Sequence, residues 1–140
     1  MATSRTAIYA GSFDPPTLGH LAVARRAAAL FAQVVVAVGI NAGKRAWLTA
    51  DERVRLLRTA LAGLDNVTVE TFDDAVVALA GRHAPAVLLR GLRSGEDADA
   101  EYPTAEVNRV HGVETLCLLA EPAHRHLSSR LVREVARASL

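Results

Sequence analysis

Residues 34–38 read VVVAV, a continuous apolar run dominated by β-branched side chains. Such a run is typical of a parallel strand that is buried on both faces of its sheet. A shorter apolar run, AIYA at residues 7–10, precedes it and ends at Gly11. The intervening residues, from about 18 to 31, are rich in Ala and Leu and predict a helix. The first part of the chain is therefore predicted to be a strand, a helix and a second strand.

The alternation of strand and helix continues along the rest of the chain. Residues 67–72, 86–89 and 114–119 predict three further strands. Thr49 and Glu52 form a capping-box pattern at the start of a second helix. Pro103 is expected to break or delay the fourth helix. The third to fifth helices are predicted from Asp73 or Asp74 to His83, from about Ala100 to Val110, and from Ser128 or Ser129 to about Ser139.

Five strands that alternate with helices predict an α/β fold. The expected architecture is a doubly wound, five-stranded parallel sheet with helices on both faces, in a single domain over residues 1–140. Ligands of such sheets bind beyond the carboxyl ends of the strands, where the winding reverses.

Composition excludes a general attraction to polyanions. The chain of 140 residues carries 16 basic and 15 acidic side chains, so no nucleic-acid or membrane partner is indicated. Cys117 is the only cysteine and lies in an apolar run, which predicts a buried structural thiol and no internal disulfide. The first five residues are too short and polar for a signal peptide, and no apolar stretch is long enough to span a bilayer. A cytoplasmic protein is expected.

The polar residues that could take part in binding or catalysis follow the predicted strands. Because the carboxyl ends of parallel strands share one edge of the sheet, these groups are expected to meet there. Among them are the cations Lys44, Arg90 and Arg93, and the helix start at Ser128 adds backbone N–H groups. A cationic pocket in a nearly neutral chain predicts phosphate binding. The groups concerned lie at residues 11–20, at Asn41, Lys44 and Arg45, at Asp73 and Asp74, at residues 90–93 and at residues 124–129.

Three motifs carry a resemblance to a known family. The stretch GSFDPPTLGH at residues 11–20 resembles the T/H-x-G-H signature of the nucleotidyltransferase superfamily, which has a Rossmann-like fold. RGLR at residues 90–93 is similar to a motif of the phosphopantetheine adenylyltransferase family, and LSSRLVRE at residues 127–134 resembles the superfamily's last helix start. Lys44 stands where that family keeps a substrate lysine. The three motifs stand in the family's order, at three strand ends.

The resemblance implies transfer of the adenylyl group of ATP to 4'-phosphopantetheine, giving dephospho-coenzyme A and pyrophosphate. It also implies use of Mg²⁺, held mainly by the ATP phosphates, and a homo-oligomer, commonly a hexamer. The implied catalytic residues are His20, Lys44 and Arg93. The implied ATP-binding residues are Gly11, Ser12, Phe13, His20, Gly91, Leu92, Arg93, Glu101, Ser128, Ser129 and Arg130. The implied acceptor-binding residues are Ser12, Lys44, Asp74, Val76, Arg90 and Asn108.

Other interpretations of these residues stay open. Arg45 could serve in place of Lys44, the two arginines of residues 90–93 could form ordinary salt bridges, and Ser128 could simply cap its helix. A second hypothesis is a nucleotidyltransferase of the same superfamily that uses another phosphorylated acceptor or CTP. A third is a nucleotide-binding module without catalysis, against which the presence of all the motif residues argues.

Overall fold

The computed structural model describes residues 3–138. Its five strands are β1 (Thr3–Gly11), β2 (Phe31–Gly39), β3 (Val67–Phe72), β4 (Ala86–Leu92) and β5 (Thr115–Leu119). Its five α-helices are α1 (Leu18–Leu30), α2 (Ala50–Ala60), α3 (Val76–Arg82), α4 (Gly95–Val110) and α5 (Ser129–Ala138). One 3₁₀ turn, Pro122–His124, lies between β5 and α5.

All five strands form one parallel sheet in the order β3-β2-β1-β4-β5. In the centre, Tyr9 of β1 aligns with Val36 of β2 on one side and with Leu89 of β4 on the other. The chain winds outward in one direction through β2 and β3, and in the other through β4 and β5. The reversal between β1 and β4 confirms the predicted doubly wound α/β sheet and opens a crevice at the carboxyl ends of those two strands.

Alternate residues of the central strands fill two separate cores. Tyr9, Val36 and Leu89 point to one face, where they pack with α1 and α2 through residues such as Val23 and Leu57. On the opposite face, alternate residues of β1, β2 and β4 pack with residues of α3. Helices therefore cover both faces, as predicted. The second core is formed by Ile8, Ala10, Val35, Ala37, Leu79, Ala80 and Leu88.

The capping box predicted at the start of α2 is present. The backbone N–H of Glu52 donates to Thr49 Oγ1 at 3.1 Å, and the N–H of Thr49 donates to Glu52 Oε1 at 3.0 Å. Each of these hydrogen bonds satisfies a backbone donor that the first helical turn leaves without a partner. At α5, Ser128 accepts from the N–H of Leu131 at 3.0 Å and is the cap. Ser129 does not cap, because its hydroxyl donates to the carbonyl of Pro15 at 2.7 Å.

The prediction that Asp73 or Asp74 opens α3 is wrong. The helix begins at Val76, and its N-cap residue Ala75 provides no side-chain hydrogen bond. Asp74 is instead held by Arg82, with N–O distances of 2.8 and 3.2 Å. A carboxylate engaged with an arginine fork at the far end of the helix is not free to accept from the first-turn N–H groups.

The predicted start of α4 is also wrong, because the helix begins at Gly95 rather than near Ala100 and continues through Pro103. Ser94 accepts from the N–H of Asp97 at 3.2 Å, and Asp97 and Glu96 place negative charge in the first turn. Cap and charge both stabilise a helix start. A proline removes one hydrogen bond and costs about 3 kcal/mol within a helix, which a sixteen-residue element tolerates here.

Cys117 is exposed, against the expectation of a buried thiol. Its strand, β5, is at the edge of the sheet, and most of its side chains remain accessible. An apolar run does not distinguish an edge strand from a central one, which explains the error. The predicted end of α5 at Ser139 lies outside the described residues. Within residues 3–138, none of the helices has the length and apolar character needed to cross a bilayer.

Candidate active site

The β1–α1 loop brings an aromatic residue with unusual backbone geometry to the carboxyl end of β1. Phe13 has a φ of 50°, a left-handed conformation that a bulky side chain rarely adopts, and it is buried. Its ring contacts that of Tyr9 edge-on at 5.2 Å between centroids and that of His20 at 4.9 Å. The strained backbone is thus held by aromatic packing, and the same packing fixes the plane of the imidazole.

His20 lies in the first turn of α1 and completes a capping box. The backbone N–H of Thr17 donates to His20 Nδ1 at 3.0 Å, while the N–H of His20 donates to Thr17 Oγ1 at 3.3 Å. Because Nδ1 accepts a hydrogen bond from a backbone donor, it carries no proton, and the proton of the neutral ring is on Nε2. Burial, followed by the positive charges of Arg90 and Arg93, lowers the pKa of His20 from 6.5 to about 4. The imidazole is therefore a neutral hydrogen-bond donor at physiological pH.

A cleft of about 310 Å³ lies beyond the carboxyl ends of β1 and β4, at the switch point of the sheet. It brings together most of the residues that the sequence predicted for ATP. Leu92 and Arg130 do not line it. The carbonyl of Leu92 accepts from the N–H of Ala120 at 2.7 Å, and Arg130 pairs with Glu134 at 3.1 Å. The predicted residues that line the cleft are Gly11, Ser12, Phe13, His20, Gly91, Arg93, Glu101, Ser128 and Ser129.

Arg90 spans the floor of this cleft. One of its nitrogens donates to the carbonyl of Ala10 at 2.6 Å, and another donates to Glu101 Oε1 at 2.7 Å. Its Nε is buried and has no hydrogen-bond partner. Arg90 also lines an adjoining cavity of about 250 Å³ together with Val76 and Asn108. Three of the predicted acceptor residues thus meet at one cavity.

Asp74 does not belong to that group, because its carboxylate is engaged with Arg82 and it lines none of the cavities described here. Lys44 is also elsewhere, in a pocket described below.

Arg93 also lines the cleft. Its backbone N–H and its Nε both donate to Asp97, at 2.8 and 3.3 Å, and another guanidinium nitrogen donates to the carbonyl of Leu127 at 3.1 Å. That last bond connects the end of β4 to the residue just before Ser128. Nearby, a Cβ atom on Gly91 would come within 3.1 Å of Val23 Cγ2, so glycine is the residue that lets α1 approach β4 this closely.

A second, larger pocket of about 860 Å³ opens beside the cleft and shares Ser12 and Ser129 with it. We call it the loop pocket, since residues 39–50 form one wall and α5 the other. Its lining has five basic side chains and one carboxylate, that of Asp14. The basic residues are Lys44, Arg45, Arg53, Arg133 and Arg137. This excess of positive charge in a chain with a net charge of +1 makes the pocket suited to phosphate.

Two residues to which the sequence analysis assigned no role of their own hold the loop pocket together. Asp14 is buried, and its two carboxylate oxygens accept the backbone N–H groups of Trp47 and Leu48, each at 2.7 Å. Arg53 is buried as well and donates to four backbone carbonyls. One signal was available for Arg53, since it shares the apolar face of α2 with Val54 and Leu57 at helical spacing. A cation on a buried helix face indicates a specific set of acceptors.

Among residues 3–138, no three histidine, cysteine or acidic side chains come together as a metal-binding group. The charged side chains of the cleft are two arginines and two carboxylates, Asp97 and Glu101, both of which are engaged with those arginines. The loop pocket has a clear excess of cations, which suits phosphate oxygens.

The fold and the cleft define a nucleotide-binding α/β protein, and comparison with known proteins agrees. Residues 8–135 match the family model described as cytidylyltransferase-like, so the chain is a member of this class of nucleotidyltransferases. A solved bifunctional NMN adenylyltransferase/ADP-ribose pyrophosphatase of Francisella tularensis, complexed with AMP and a manganese ion, has the same fold. Its TM-score is 0.67 at 13% identity, over 99% of this chain and 43% of that one.

Relatives with higher sequence identity show which family of nucleotidyltransferases the chain belongs to. The chain is 44% identical over 133 residues to the phosphopantetheine adenylyltransferase of Thermobifida fusca, covering 94% of this chain and 81% of the relative. It is 46% identical over 134 residues to that of Gloeobacter violaceus, covering 94% and 83%. The chain belongs to the phosphopantetheine adenylyltransferase family.

Proposed function

We propose that this enzyme transfers the adenylyl group of ATP to 4'-phosphopantetheine. A phosphate oxygen of the acceptor attacks the α-phosphorus of ATP, the bond from that phosphorus to the oxygen bridging to the β-phosphate breaks, and pyrophosphate leaves. The products are dephospho-coenzyme A and pyrophosphate. The observation that carries this proposal is a neutral His20, with its proton on Nε2, in a cleft that also contains Arg90 and Arg93.

His20 acts by donation rather than by proton transfer. In-line displacement at phosphorus needs no side-chain nucleophile, so catalysis consists of positioning and of neutralising the negative charge that develops on the phosphate oxygens. A neutral imidazole with its proton on Nε2 supplies one oriented donor to an α-phosphate oxygen. A pKa of about 4 makes it a weak base at neutral pH, which supports the assignment of a donor role.

The nucleotide is proposed to occupy the 310 Å³ cleft. Its β- and γ-phosphates would lie at the amino end of α5, near Ser128 and Ser129, where backbone N–H groups and the helix dipole favour anions. Arg93 would contact the same phosphates. Gly11, Phe13, Gly91 and Glu101 line the cleft, which supports their assignment to ATP. The assignment of Leu92 and Arg130 to ATP rests on the family motif alone, because neither residue lines the cleft.

The acceptor is proposed to extend from the loop pocket through the cleft into the cavity on its other side. Its phosphate would be held by Ser12, Lys44 and Arg90, of which Ser12 lines both the cleft and the loop pocket. The pantetheine arm would extend into the cavity of about 250 Å³ beside Val76 and Asn108. A role for Asp74 in binding this arm is not supported by its engagement with Arg82.

Magnesium is the proposed metal ion, bound chiefly to the ATP phosphates. When bound, it would neutralise part of the triphosphate charge. The two carboxylates that line the cleft, Asp97 and Glu101, are engaged with Arg93 and Arg90, which fits a metal ion that arrives with the nucleotide. Ser128 and Ser129 would offer it neutral oxygens. The names of the curated relatives give no support to CTP or to another acceptor.

A homo-oligomer is proposed as well, with a hexamer as the expected size. The exposed apolar side chains of α4 and of the edge strand β5 support it, because large apolar side chains left exposed on two elements in contact are typical of an association surface. Val110 is 84% and Leu119 69% exposed. An edge strand also leaves backbone groups available for pairing.

The test of the reaction is pyrophosphate release from ATP and Mg²⁺, measured with and without 4'-phosphopantetheine. The proposal requires release that depends on the acceptor, with dephospho-coenzyme A formed in equal amount. A folded sample that binds ATP but releases no pyrophosphate with this acceptor would refute it. Substituting CTP for ATP is the matched control, and turnover is expected to fall strongly.

A further inference from the structure

We propose that Arg53 is a positioning residue for the acceptor phosphate. It holds the loop that carries Ser12 at a fixed separation from the loop that carries Lys44. This inference rests on the proposed function for the identity of the acceptor, but its geometric part concerns the two loops alone. Arg53 itself contacts neither substrate in this assignment.

The first observation is the set of acceptors around the Arg53 guanidinium. One terminal nitrogen donates to the carbonyls of Ser12 at 2.8 Å and Gly39 at 3.1 Å. Nε donates to the carbonyls of Leu48 at 3.2 Å and Thr49 at 3.3 Å. The four carbonyls belong to the ends of β1 and β2 and to the residues just before α2. A single side chain therefore joins three segments that are distant in sequence.

The second observation is where these bonds fall relative to Lys44. The lysine lies in the connection between Gly39, the last residue of β2, and Thr49, the cap of α2. Arg53 holds both ends of this connection, and Asp14 holds the second end again through the N–H groups of Trp47 and Leu48. Both ends of the loop at residues 39–49, which carries Lys44, are thus hydrogen-bonded to side chains that also hold the loop of Ser12.

The third observation is that Arg53 is only 5% exposed yet forms no ion pair with a carboxylate in the described part of the chain. Buried cations are normally paired, because an unpaired charge in a protein interior is costly. Here carbonyl dipoles solvate the guanidinium, and its positive charge, without an ion-pair partner in the described part of the chain, lies beside the loop pocket. The charge therefore adds to the attraction of an incoming phosphate.

A guanidinium suits this position because of its shape. Its planar fork presents several N–H donors in fixed directions, so that one group can reach carbonyls on three segments. A lysine ammonium in the same place would keep the charge but would not reproduce the set of four hydrogen bonds. The two contributions of Arg53, geometry and charge, can therefore be separated by substitution.

The experiment compares Arg53→Lys and Arg53→Met with Arg58→Met. Arg58 is on the same helix and also donates to a backbone carbonyl, that of Val69 at 2.9 Å, but it is exposed and away from both loops. For each purified variant, kcat and the KM values for ATP and for 4'-phosphopantetheine are measured below its melting temperature. Thermal unfolding is recorded in parallel.

A positioning role predicts an asymmetric effect. Arg53→Lys should raise the KM for the acceptor about tenfold or more, whereas the KM for ATP should change by less than about threefold. Arg53→Met should raise the acceptor KM further, since it also removes the charge. Arg58→Met should leave both constants near their wild-type values. Equal changes in the two KM values, or an unchanged acceptor KM in Arg53→Lys, would overturn the proposal.

Two complications of this experiment still leave a measurement that tests the role of Arg53. If Arg53→Met does not fold, the test rests on Arg53→Lys alone. The quantity to compare is then the increase in the KM for the acceptor relative to the increase in the KM for ATP. If the wild-type enzyme does not use this acceptor, the proposed function fails separately, and the loop geometry is tested by fluorescence of Trp47, the only tryptophan. Inorganic phosphate should then change the Trp47 signal at lower concentration in wild type than in Arg53→Lys. Identical titrations would contradict the role of Arg53.

Discussion

The backbone N–H of Thr17 donates to Nδ1 of His20 at 3.0 Å, and this hydrogen bond determines which form of the imidazole faces the cleft. The same contact closes the capping box of α1, so one side chain both stabilises its helix and presents a donor at Nε2. Stability and catalysis at position 20 can nevertheless be separated, because any acceptor atom near Thr17 can close the capping box, whereas catalysis also needs the N–H at Nε2.

His20→Ala and His20→Gln separate these two roles. Alanine removes both, so we expect kcat to fall by about 10²- to 10³-fold and stability to fall by about 1 kcal/mol. Glutamine at this position of a capping box can accept from the Thr17 N–H. It should recover the melting temperature, whereas its amide N–H, which no ring packing orients, should restore turnover only in part. Near-normal kcat in His20→Ala would remove the histidine from the mechanism.

The lowered pKa of His20 makes a prediction about stability in acid. In the unfolded chain the imidazole takes up a proton near pH 6.5, whereas in the folded protein it does so only near pH 4. Between these values the unfolded state binds more protons, so His20 lowers stability as the pH falls, by about 3 kcal/mol at most. Urea unfolding at pH 7.5 and pH 5 should therefore show a smaller acid loss in His20→Gln than in wild type.

The pH profile of kcat/KM, which reports the free enzyme, should carry the same signature. Since His20 stays neutral at all pH values well above 4, its protonation should produce no inflection near pH 6.5. An inflection near pH 6.5 that disappears in His20→Gln would show that the imidazole titrates normally, against the structure.

Asp14→Ala tests the carboxylate that accepts from Trp47 and Leu48. The substitution leaves two backbone donors without their acceptor, and hydrogen bonds to charged groups contribute about 1.5–3 kcal/mol each. We expect a loss of stability in this range or above, measured by urea unfolding, together with a changed emission of Trp47. Asp65→Ala, an exposed residue, is the control and should be close to neutral. An unchanged Trp47 emission in Asp14→Ala would contradict the link.

Lys44→Ala and Arg45→Ala decide which of the two neighbouring cations serves the acceptor phosphate. Both residues line the loop pocket. If Lys44 is the ligand, its removal should raise the acceptor KM by about 10-fold or more, a loss of about 1.4 kcal/mol in binding, and Arg45→Ala should have a small effect. The reverse order would assign the role to Arg45.

The apolar surface of α4 and β5 should be the contact between subunits. We expect Val110→Asp combined with Leu119→Asp to lower the mass measured by light scattering to that of a monomer, because buried carboxylates are costly in such a contact. Leu56→Asp, at a residue of α2 that is 50% exposed, is the control. A wild-type protein that is monomeric at the outset would refute the proposed assembly.

The elements and the cleft could be predicted from the sequence because both rest on local signals. The run of valines in β2 indicates a strand within a few residues. The capping-box pattern at Thr49 likewise needs only four residues. Parallel strands then bring the motifs to one edge of the sheet, whatever the details of the loops. The sequence predicted a doubly wound sheet, whereas the order β3-β2-β1-β4-β5 comes from the structure.

The remaining features depend on contacts between distant residues, which no local pattern contains. Arg53 and Ser12 are 41 positions apart, and the partners Asp14 and Trp47 are 33 apart. Ser129 reads as a cap, yet its hydroxyl bonds to Pro15. Cys117 was misjudged for a related reason, since burial of a strand depends on its place in the sheet, and that place is set by the whole topology.

Gly91 has a consequence for how this enzyme can be altered. The missing methyl group lets α1 lie against β4, and α1 carries the imidazole whereas β4 and the residue after it carry the two arginines. The width of the cleft therefore depends on the absence of a Cβ atom at Gly91. An alanine at this point would act as a spacer of a few tenths of an ångström. Redesign for a bulkier ligand would have to begin at Gly91 and Val23, which meet in the lining of the cleft.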